Sequence, residues 1–334
     1  MPASLMTQRV FVLGATGTIG QATVRALRHS GHDVVCFLRP PAQAGSALPA
    51  RAQDLAKTGA TLRFGQIGDA HSLARDGFQG EHFDVLLSCM ASRTGRPQDA
   101  WAIDHQAHVQ ALKAAEQAGI AQMVLLSAIC VQKPLLAFQQ AKLAFEQTLI
   151  NSGLNYSIVR PTAFFKSLSG QLDRLRRGQA FLVFGDGSLT ACKPISDADL
   201  ADYLVGCITE PSRHRKILPI GGPGPALSAR EIGHLLFEAL GQKPRFRHVP
   251  VALLDAIIAL LGAGGHLLPS LKDKAELARI GRYYATESML VWDALHRRYD
   301  ADATPSFGQH TLGDFFADLV AGRATIDRGD HKVF

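Results

Sequence analysis

The sequence is poor in the patterns that bind metals or form disulfide frameworks. Its five cysteines show no Cys-x-x-Cys spacing, and its 13 histidines form no His-x-x-x-His or His-Glu-x-x-His group. At least four of the cysteines stand in apolar runs, which is typical of reduced thiols in a protein core. The five are Cys36, Cys89, Cys130, Cys192 and Cys207. We therefore expect a cytosolic protein without a metal site.

The chain also lacks a hydrophobic run long enough to cross a membrane. A spanning helix needs about 20 apolar residues, and the most apolar stretch, 251–268, contains Asp255, His266 and a Gly-Ala-Gly-Gly break. We expect an amphipathic core helix there, with a helix lying on a membrane surface as the alternative. The first ten residues are too short and polar for a signal or transit peptide.

A strong charge of one sign is missing as well. The formal net charge is +6, and the basic residues are dispersed apart from 174–177 and 213–216. Such clusters are more often solvated surfaces than nucleic-acid sites, so we expect no nucleic-acid partner. An anionic small molecule suits this balance. With 334 residues, 47% of them hydrophobic, the chain can form one large domain or one and a half, with a sizeable core.

What the chain does contain is a glycine turn near its beginning. An apolar strand pattern at 9–13 runs into Gly-Ala-Thr-Gly-Thr-Ile-Gly and then into a helical pattern at 21–29. Glycines at this spacing allow a sharp turn, close approach of a diphosphate and tight helix packing, while free N–H groups of the helix face the phosphates. A tight turn without a ligand is the alternative. The predicted cofactor contacts in the loop are Gly14, Thr16, Gly17, Thr18, Ile19 and Gly20.

The first half alternates apolar runs with helical patterns. Continuous apolar strands separated by helices predict a parallel sheet covered on both faces, which is a doubly wound, Rossmann-like α/β fold. Helical patterns cover 100–118 and 135–152, and after Pro161 the rhythm changes. We expect a Rossmann domain at 7–162 and a smaller substrate lobe at 163–325, interleaved with the sheet. Predicted strands are 10–13, 34–38, 62–67, 85–89, 123–127 and 156–160.

The nucleotide is predicted from the strand ends. The second strand ends in Arg39, where an NAD site usually has a carboxylate, so NADP with its 2′-phosphate is favoured. An exposed arginine at a strand end is the alternative. Asp69 is placed to accept from the adenine amino group or, alternatively, to cap a helix. Ser88 and Ala91 follow the fourth strand and are expected along the cofactor ribose, where helix capping is again the alternative. Pro161, after the sixth strand, is a further predicted cofactor contact.

The glycine loop and the fold resemble the short-chain dehydrogenase/reductase superfamily. That superfamily usually has a serine after strand five and a Tyr-x-x-x-Lys pair on the next helix. Here Ser127 and Lys142 stand in those places, but the residue four before Lys142 is Phe138. A phenyl ring has no ionisable proton, so reduction of a carbon–carbon double bond, or no chemistry, becomes favoured over carbonyl reduction. Lys142 is expected to hold the nicotinamide ribose, with a solvated helix lysine as the alternative.

Eight further segments resemble one atypical branch, the divinyl chlorophyllide 8-vinyl reductases of chlorophyll and bacteriochlorophyll synthesis. The resemblance implies an NADPH-dependent reduction of the vinyl group of a Mg-containing tetrapyrrole to ethyl, in a bacterial cytoplasm or at the surface of a photosynthetic membrane. The alternatives are a non-catalytic NADP(H)-sensing regulator and a reductase of another conjugated double bond. The segments are 88–93, 101–104, 125–135, 156–167, 184–187, 191–195, 218–224 and 282–288.

The proton donor and the pigment contacts are predicted from lysines and phenylalanines. A buried lysine can act as an acid near neutrality, and Lys133, after strand five, ranks first. Lys166 and Lys193 are expected to face the substrate as further candidate donors. For each of the three lysines, the alternative is a charge partner of the propionate or simple solvation. The Phe138, Phe164 and Phe165 rings are expected to contact the macrocycle, with core packing as the alternative for Phe164 and Phe165. The predicted catalytic residues are Lys133, Lys142 and Ser127.

Overall fold

The computed structural model describes residues 7–41, 47–264 and 269–325. Seven parallel strands form its main sheet, in the order β3-β2-β1-β4-β5-β6-β9. The doubly wound parallel sheet is therefore confirmed, and all six predicted strands belong to it. The seventh was not predicted. The strands are β1 Arg9–Leu13, β2 Asp33–Leu38, β3 Thr61–Phe64, β4 Val85–Ser88, β5 Gln122–Leu126, β6 Asn155–Pro161 and β9 Lys216–Ile220.

Helices cover both faces of this sheet. The chain reverses its direction of travel between β1 and β4, and in such sheets a ligand lies in the crevice outside the carboxyl ends of the strands at that point. The helices are interrupted by π-helical segments at Leu73–Phe78 and Trp101–Ala107 and by a 3₁₀ turn at Ile129–Gln132. The helices of this part are α1 Thr18–His29, α2 Ala50–Lys57, α3 Ala70–Ser72, α4 Pro97–Ala100, α5 His108–Gln117, α6 Ala137–Asn151 and α9 Asp197–Thr209.

The strand sequence divides the core into two layers. In β1, Val10 and Val12 point to the layer under α1 and α9, whereas Phe11 and Leu13 point to the layer under α5 and α6. All four are fully buried, because a strand whose two faces are both covered by helices presents apolar side chains on each. The two layers hold the carboxyl ends of β1, β2 and β4 at one edge of the sheet.

The C-terminal lobe has a third core cluster and three two-stranded sheets. It is not continuous in sequence, because β9 and α9 belong to the main sheet and its covering layer. The boundary at residues 162 and 163 stays a prediction. The strands of the lobe are β7 Phe181–Phe184, β8 Ala191–Cys192, β10 Leu227–Ser228, β11 Phe246–Val249, β12 Val291–Asp293 and β13 Arg298–Asp300. The helices are α7 Phe165–Leu168, α8 Leu172–Arg176, α10 Ala229–Ala239, α11 Val251–Gly264, α12 Pro269–Thr286 and α13 Leu312–Val320.

Helix α11 differs from the core helix that the sequence predicts. None of its residues, all of them described, is buried. Leu253 is 51% exposed and Leu260 is 75% exposed. The helix packs on α12 on one side, which leaves the opposite apolar face uncovered by described residues. The predicted stretch continues into 265–268, which lie outside the described residues. Among the described helices, none is both long and apolar enough to span a membrane.

Candidate active site

The glycine loop joins β1 to α1 in the manner that a dinucleotide requires. Gly14 has φ +74°, and a Cβ there would lie 2.5 Å from the Cys89 carbonyl carbon. A Cβ on Gly20 would lie 2.2 Å from the Gly14 oxygen, so α1 can approach β1 only with glycine there. Among the described residues, no side chain caps the first turn of α1. The loop therefore offers backbone N–H groups to phosphate oxygens, which fits the diphosphate of a nicotinamide cofactor.

Arg39 follows β2 on the exposed surface, beside this loop in the fold. A second cation, Arg51 of α2, donates from Nη1 to the Thr16 oxygen of the loop at 3.1 Å. Two guanidinium groups on this side suit a 2′-phosphate. Asp69 caps α3 and accepts a hydrogen bond from the His71 N–H at 2.9 Å. This is the helix-capping contact that the sequence analysis gave as the alternative to an adenine contact.

Ser88, at the end of β4, points its hydroxyl to His108 of α5. It is fully buried, and its hydroxyl lies 2.9 Å from His108 Nε2. Because His108 Nδ1 lies 2.9 Å from the Ile103 carbonyl oxygen and must donate to it, Nε2 accepts from Ser88. Burial, together with the nearby Lys142 charge, lowers the pKa of His108 to about 4. A neutral His108 thus fixes the Ser88 hydroxyl inside the protein.

Two other predicted cofactor contacts lie at strand ends. Ala91, beyond β4, is exposed, whereas Pro161 is the buried last residue of β6. Both stand at the carboxyl edge of the sheet, where the cofactor of a doubly wound fold lies. Their roles toward the cofactor stay predictions.

Lys142 on α6 forms a buried ion pair that the sequence analysis missed. Its Nζ lies 2.9 Å from Asp104 Oδ1, and the two side chains are 12% and 0% exposed. Asp104 stands in the π turn before α5 and also accepts from the Ser92 hydroxyl and backbone N–H. With three donors on its oxygens the carboxylate is well satisfied despite its burial. It fixes the position of the Lys142 ammonium.

Ser127 follows β5 and donates its hydroxyl proton to Glu146 of α6. Glu146, itself 1% exposed, is held by a two-pronged ion pair with Arg160 of β6. A hydroxyl that donates to a carboxylate can only accept from a second partner. Ser127 is therefore arranged to accept a hydrogen bond in the cleft and not to give a proton to a substrate.

A small cavity connects these groups. Its volume is about 10 Å³, the order of space that one water molecule requires. Its wall contains both polar and apolar side chains. The lining residues are Asp104, His108, Leu125, Leu126, Ser127, Lys142 and Phe145.

Lys133 lies just after the 3₁₀ turn that follows β5 and reaches toward the C-terminal lobe. Its Nζ donates to Glu287 Oε2 at 2.7 Å and lies 4.7 Å from the centre of the Trp292 ring. Tyr299 donates its hydroxyl to the same carboxylate oxygen. These contacts hold the ammonium group in this position. The Lys133 side chain remains 34% exposed, so solvent reaches it.

The structure separates the other two predicted substrate lysines. Lys193 Nζ donates to the Thr304 oxygen at 2.9 Å and lies 3.3 Å from Ser306 Oγ, so it ties two segments of the lobe together. Lys166 Nζ instead lies 3.1 Å from Thr18 Oγ1, in the glycine loop. Neither contact points to the propionate role that the sequence suggested for these side chains.

The predicted pigment contacts among the phenylalanines divide as well. Phe165 is 4% exposed and packs on Phe315 with ring centres 5.4 Å apart. Phe164 packs against the core layer of the main sheet. Core packing, the alternative in both cases, thus describes their observed contacts. Phe138 is half-buried at the start of α6, four residues before Lys142, and keeps part of its ring accessible.

Sequence reasoning missed the acidic partners of this site. Asp104, Glu146 and Glu287 each neutralise a cation that stands far away in sequence or on another element. The signal was present in part, since Asp104 and Glu287 lie within segments 101–104 and 282–288 on which the resemblance was based. An isolated carboxylate in a helix pattern nevertheless gives no sign of its partner.

Comparison with known proteins adds three findings. Residues 14–211 match a protein family described as NAD(P)H-binding. The chain is 45% identical over 337 residues to divinyl chlorophyllide a 8-vinyl-reductase of Oryza sativa subsp. indica, covering 97% of this chain and 82% of the relative. It is 44% identical over 333 residues to the reductase of that name from Cucumis sativus, covering 97% and 79%.

Solved structures share the fold. The Escherichia coli NADPH-dependent quinone oxidoreductase QOR2, complexed with NADPH, superimposes with a TM-score of 0.64 at 20% identity, covering 93% of this chain and 99% of the other. At this identity the likeness establishes the doubly wound architecture and its extension into the C-terminal lobe.

Proposed function

This chain belongs to the divinyl chlorophyllide a 8-vinyl-reductase family, within the NAD(P)H-binding proteins, and we propose that it reduces the 8-vinyl group of divinyl chlorophyllide or protochlorophyllide to ethyl. The observation that carries the proposal is the 44–45% identity along 97% of the chain. The site supports the proposal, because this reaction forms no alkoxide and so does not need the tyrosine acid that Phe138 replaces. The reaction belongs to chlorophyll and bacteriochlorophyll synthesis, and the substrate is a Mg-containing tetrapyrrole.

NADPH is the proposed cofactor, held by the glycine loop and by Arg39 with Arg51. When bound, it supplies the hydride. Two guanidinium groups beside the loop provide charge for a 2′-phosphate that NADH lacks. The cofactor diphosphate is expected at the first turn of α1, and the nicotinamide end is expected near Lys142.

Lys142 is proposed to hold the nicotinamide ribose, and Asp104 to keep its ammonium in place. The ion pair is almost entirely buried, so the direction of the ammonium is fixed before the cofactor binds. Phe138 occupies the position where related carbonyl reductases have a tyrosine acid. A vinyl group conjugated to a macrocycle delocalises the charge that it receives over the ring, so that acid is dispensable.

Lys133 is proposed as the source of the proton. It carries a charged ammonium at the border between the main sheet and the lobe, and Glu287 with Trp292 and Tyr299 holds it there. Ser127 is a poorer candidate, since its proton is committed to Glu146. The hydride and this proton together account for both hydrogen atoms that convert vinyl to ethyl.

The macrocycle is proposed to lie on an apolar rim made mostly of side chains that the sequence analysis did not predict, together with Phe138. Trp101 is 41% exposed, Leu135 is 62% exposed and Tyr284 is 38% exposed. Trp101 begins the π turn that contains Asp104, and Leu135 precedes α6. Exposed apolar side chains beside a charged site suit a flat, largely apolar ligand. Phe138 completes this surface in the proposal.

The test is transfer of label from reduced cofactor to pigment. Purified protein is mixed with divinyl chlorophyllide a and NADPH deuterated at the transferred position, and the product is analysed by mass spectrometry. We expect a product with one deuterium and one solvent proton in the new ethyl group. Oxidation of NADPH without labelled ethyl product would contradict the proposal and favour another conjugated double bond. No reaction, with both ligands bound, would favour a non-catalytic regulator.

We also propose peripheral contact of α11 with an anionic membrane surface. The apolar face of this helix includes Leu253, Ile257 and Leu260, which are 51%, 37% and 75% exposed. The surrounding segment, 243–286, contains seven lysines and arginines against three acidic residues. An apolar helix face flanked by positive charge suits an anionic lipid surface. A bacterial, cytoplasmic location remains part of this proposal.

Flotation with vesicles containing phosphatidylglycerol tests the contact. We expect the native chain to float, and the triple change of Leu253, Ile257 and Leu260 to serine to remain at the bottom of the gradient. Leu295→Ser is the matched control, since Leu295 is 85% exposed on a different element. Equal flotation of the triple variant and the control, or a dimer that the triple change dissociates, would contradict a membrane role.

A further inference from the structure

Lys166 reaches from the far side of the site to the glycine loop. It stands on α7, shortly after the end of β6, and is half-buried. Its Nζ donates to Thr18 Oγ1 at 3.1 Å, although the two residues are 148 positions apart. Thr18 is the first residue of α1. The ammonium group is thus held where the helix presents its backbone N–H groups.

This position is electrostatically unusual. The N-terminus of a helix carries a partial positive charge, which repels a cation and attracts an anion. Among the described residues, no side chain caps this turn of α1. A lysine directed at the same point adds a second positive charge, and an anion bound between them would neutralise both.

Asp197, at the first turn of α9, is a carboxyl group within electrostatic reach of Lys166. The Lys166 and Arg25 charges favour the ionised form of its carboxyl, although burial, the larger effect, raises its pKa. Its Oδ1 atom is buried without a hydrogen-bond partner among the described residues. The buried Oδ1 of Asp197 therefore leaves the ammonium donors of Lys166 available.

We propose that Lys166 is a ligand of the cofactor diphosphate and not a contact of the pigment. The inference rests on NAD(P)H being the cofactor and not on the reduction of a vinyl group. With the cofactor bound, the three N–H groups of the ammonium serve Thr18 and the phosphate oxygens. Lys166 then joins the C-terminal lobe to the nucleotide site, because α7 begins that lobe.

Binding measurements without pigment test the proposal. Calorimetric titrations compare the native chain, Lys166→Met and Lys166→Arg against NADPH, 2′-phospho-ADP-ribose and 2′-AMP. The first two ligands contain the diphosphate and the third does not. We expect Lys166→Met to weaken the first two by about tenfold to a hundredfold and to leave 2′-AMP unchanged. Lys166→Arg, which keeps the charge, is expected to recover most of the affinity.

The matched control is Lys113→Met, on the exposed surface of α5, which should bind all three ligands as the native chain does. Unchanged NADPH affinity in Lys166→Met would overturn the proposal, and a higher KM for the pigment in that variant would return Lys166 to the substrate. A loss shared equally by 2′-AMP would indicate a general disturbance of the fold and would also overturn it. These binding measurements use no pigment, so their interpretation does not depend on whether the protein reduces a vinyl group.

Discussion

The nucleotide-binding sheet and the C-terminal lobe hold their charged residues differently. In the sheet, Lys142 and Asp104 are 12% and 0% exposed. At the border with the lobe, Lys133 and Glu287 are 34% and 14% exposed and share their contacts with two aromatic rings. The first pair is fixed inside a rigid framework, and the second can exchange with solvent. This difference suits a positioning group in the sheet and a proton donor at the border.

The largest expected effect tests the two ion pairs against each other. Asp104→Asn leaves the Lys142 ammonium buried without a counter-charge, so the free energy of unfolding should fall by about 3–5 kcal/mol. Glu287→Gln affects a more exposed pair and should cost about 1 kcal/mol. Urea unfolding followed by circular dichroism measures both. Equal losses would remove the distinction between the two regions.

A next effect concerns the glycine loop. Gly20→Ala places a Cβ 2.2 Å from the Gly14 oxygen, so α1 must move away from β1. We expect a loss of about 3 kcal/mol in unfolding free energy and much weaker NADPH binding in a fluorescence titration. Gly31→Ala is the control, because its Cβ meets nothing within 4 Å among the described residues. This variant strains the backbone at φ +81° but causes no clash. A control as damaging to NADPH binding as Gly20→Ala would contradict this account.

The pH dependence of the sheet region should follow His108. Burial lowers the pKa of this side chain to about 4 from its usual 6.5. The unfolded chain therefore takes up the proton first, and the stability present above pH 6.5 is lost as the pH falls toward 4. Between pH 7 and pH 5 this loss amounts to about 2 kcal/mol.

His108→Gln provides the control for that pH effect. Unfolding free energies of the native chain and the variant are compared at pH 7 and pH 5. The variant should lose about 2 kcal/mol less over this interval, because its side chain does not titrate. Identical pH slopes for the two proteins would show that His108 takes up no proton on unfolding.

The smallest effect concerns cofactor choice. Arg39→Asp should weaken NADPH binding about tenfold or more, through loss of a charge-assisted contact to the 2′-phosphate, and leave NADH binding nearly unchanged. Dissociation constants for both cofactors, measured by quenching of protein fluorescence, decide the question. Similar losses of affinity for NADPH and NADH, or no loss, would show that Arg39 does not contact the 2′-phosphate. Arg51 would then be the remaining candidate for that contact.

The sequence predicts the sheet well because its signals are local. Each strand is a short apolar run, and the glycine loop is a contiguous motif, so β1 to β6 and the position of the loop follow directly. Strand β9 escaped prediction because Lys216–Ile220 begins exposed at the sheet edge and contains a proline. The partners of Lys142 and Lys133 escaped because each pair joins distant elements. The apolar face of α11 is exposed because the helix packs mainly on α12. Composition does not show which neighbours a helix packs against.

The most direct measurement is the absorbance spectrum of purified protein mixed with divinyl chlorophyllide a, with and without NADPH. Reduction of the vinyl group shortens the conjugated system of the macrocycle. We predict a blue shift of the Soret band that requires NADPH and that is lost in Lys142→Met. A spectrum that does not change, although separate titrations show both NADPH and pigment bound, would contradict the assignment of this site to vinyl reduction.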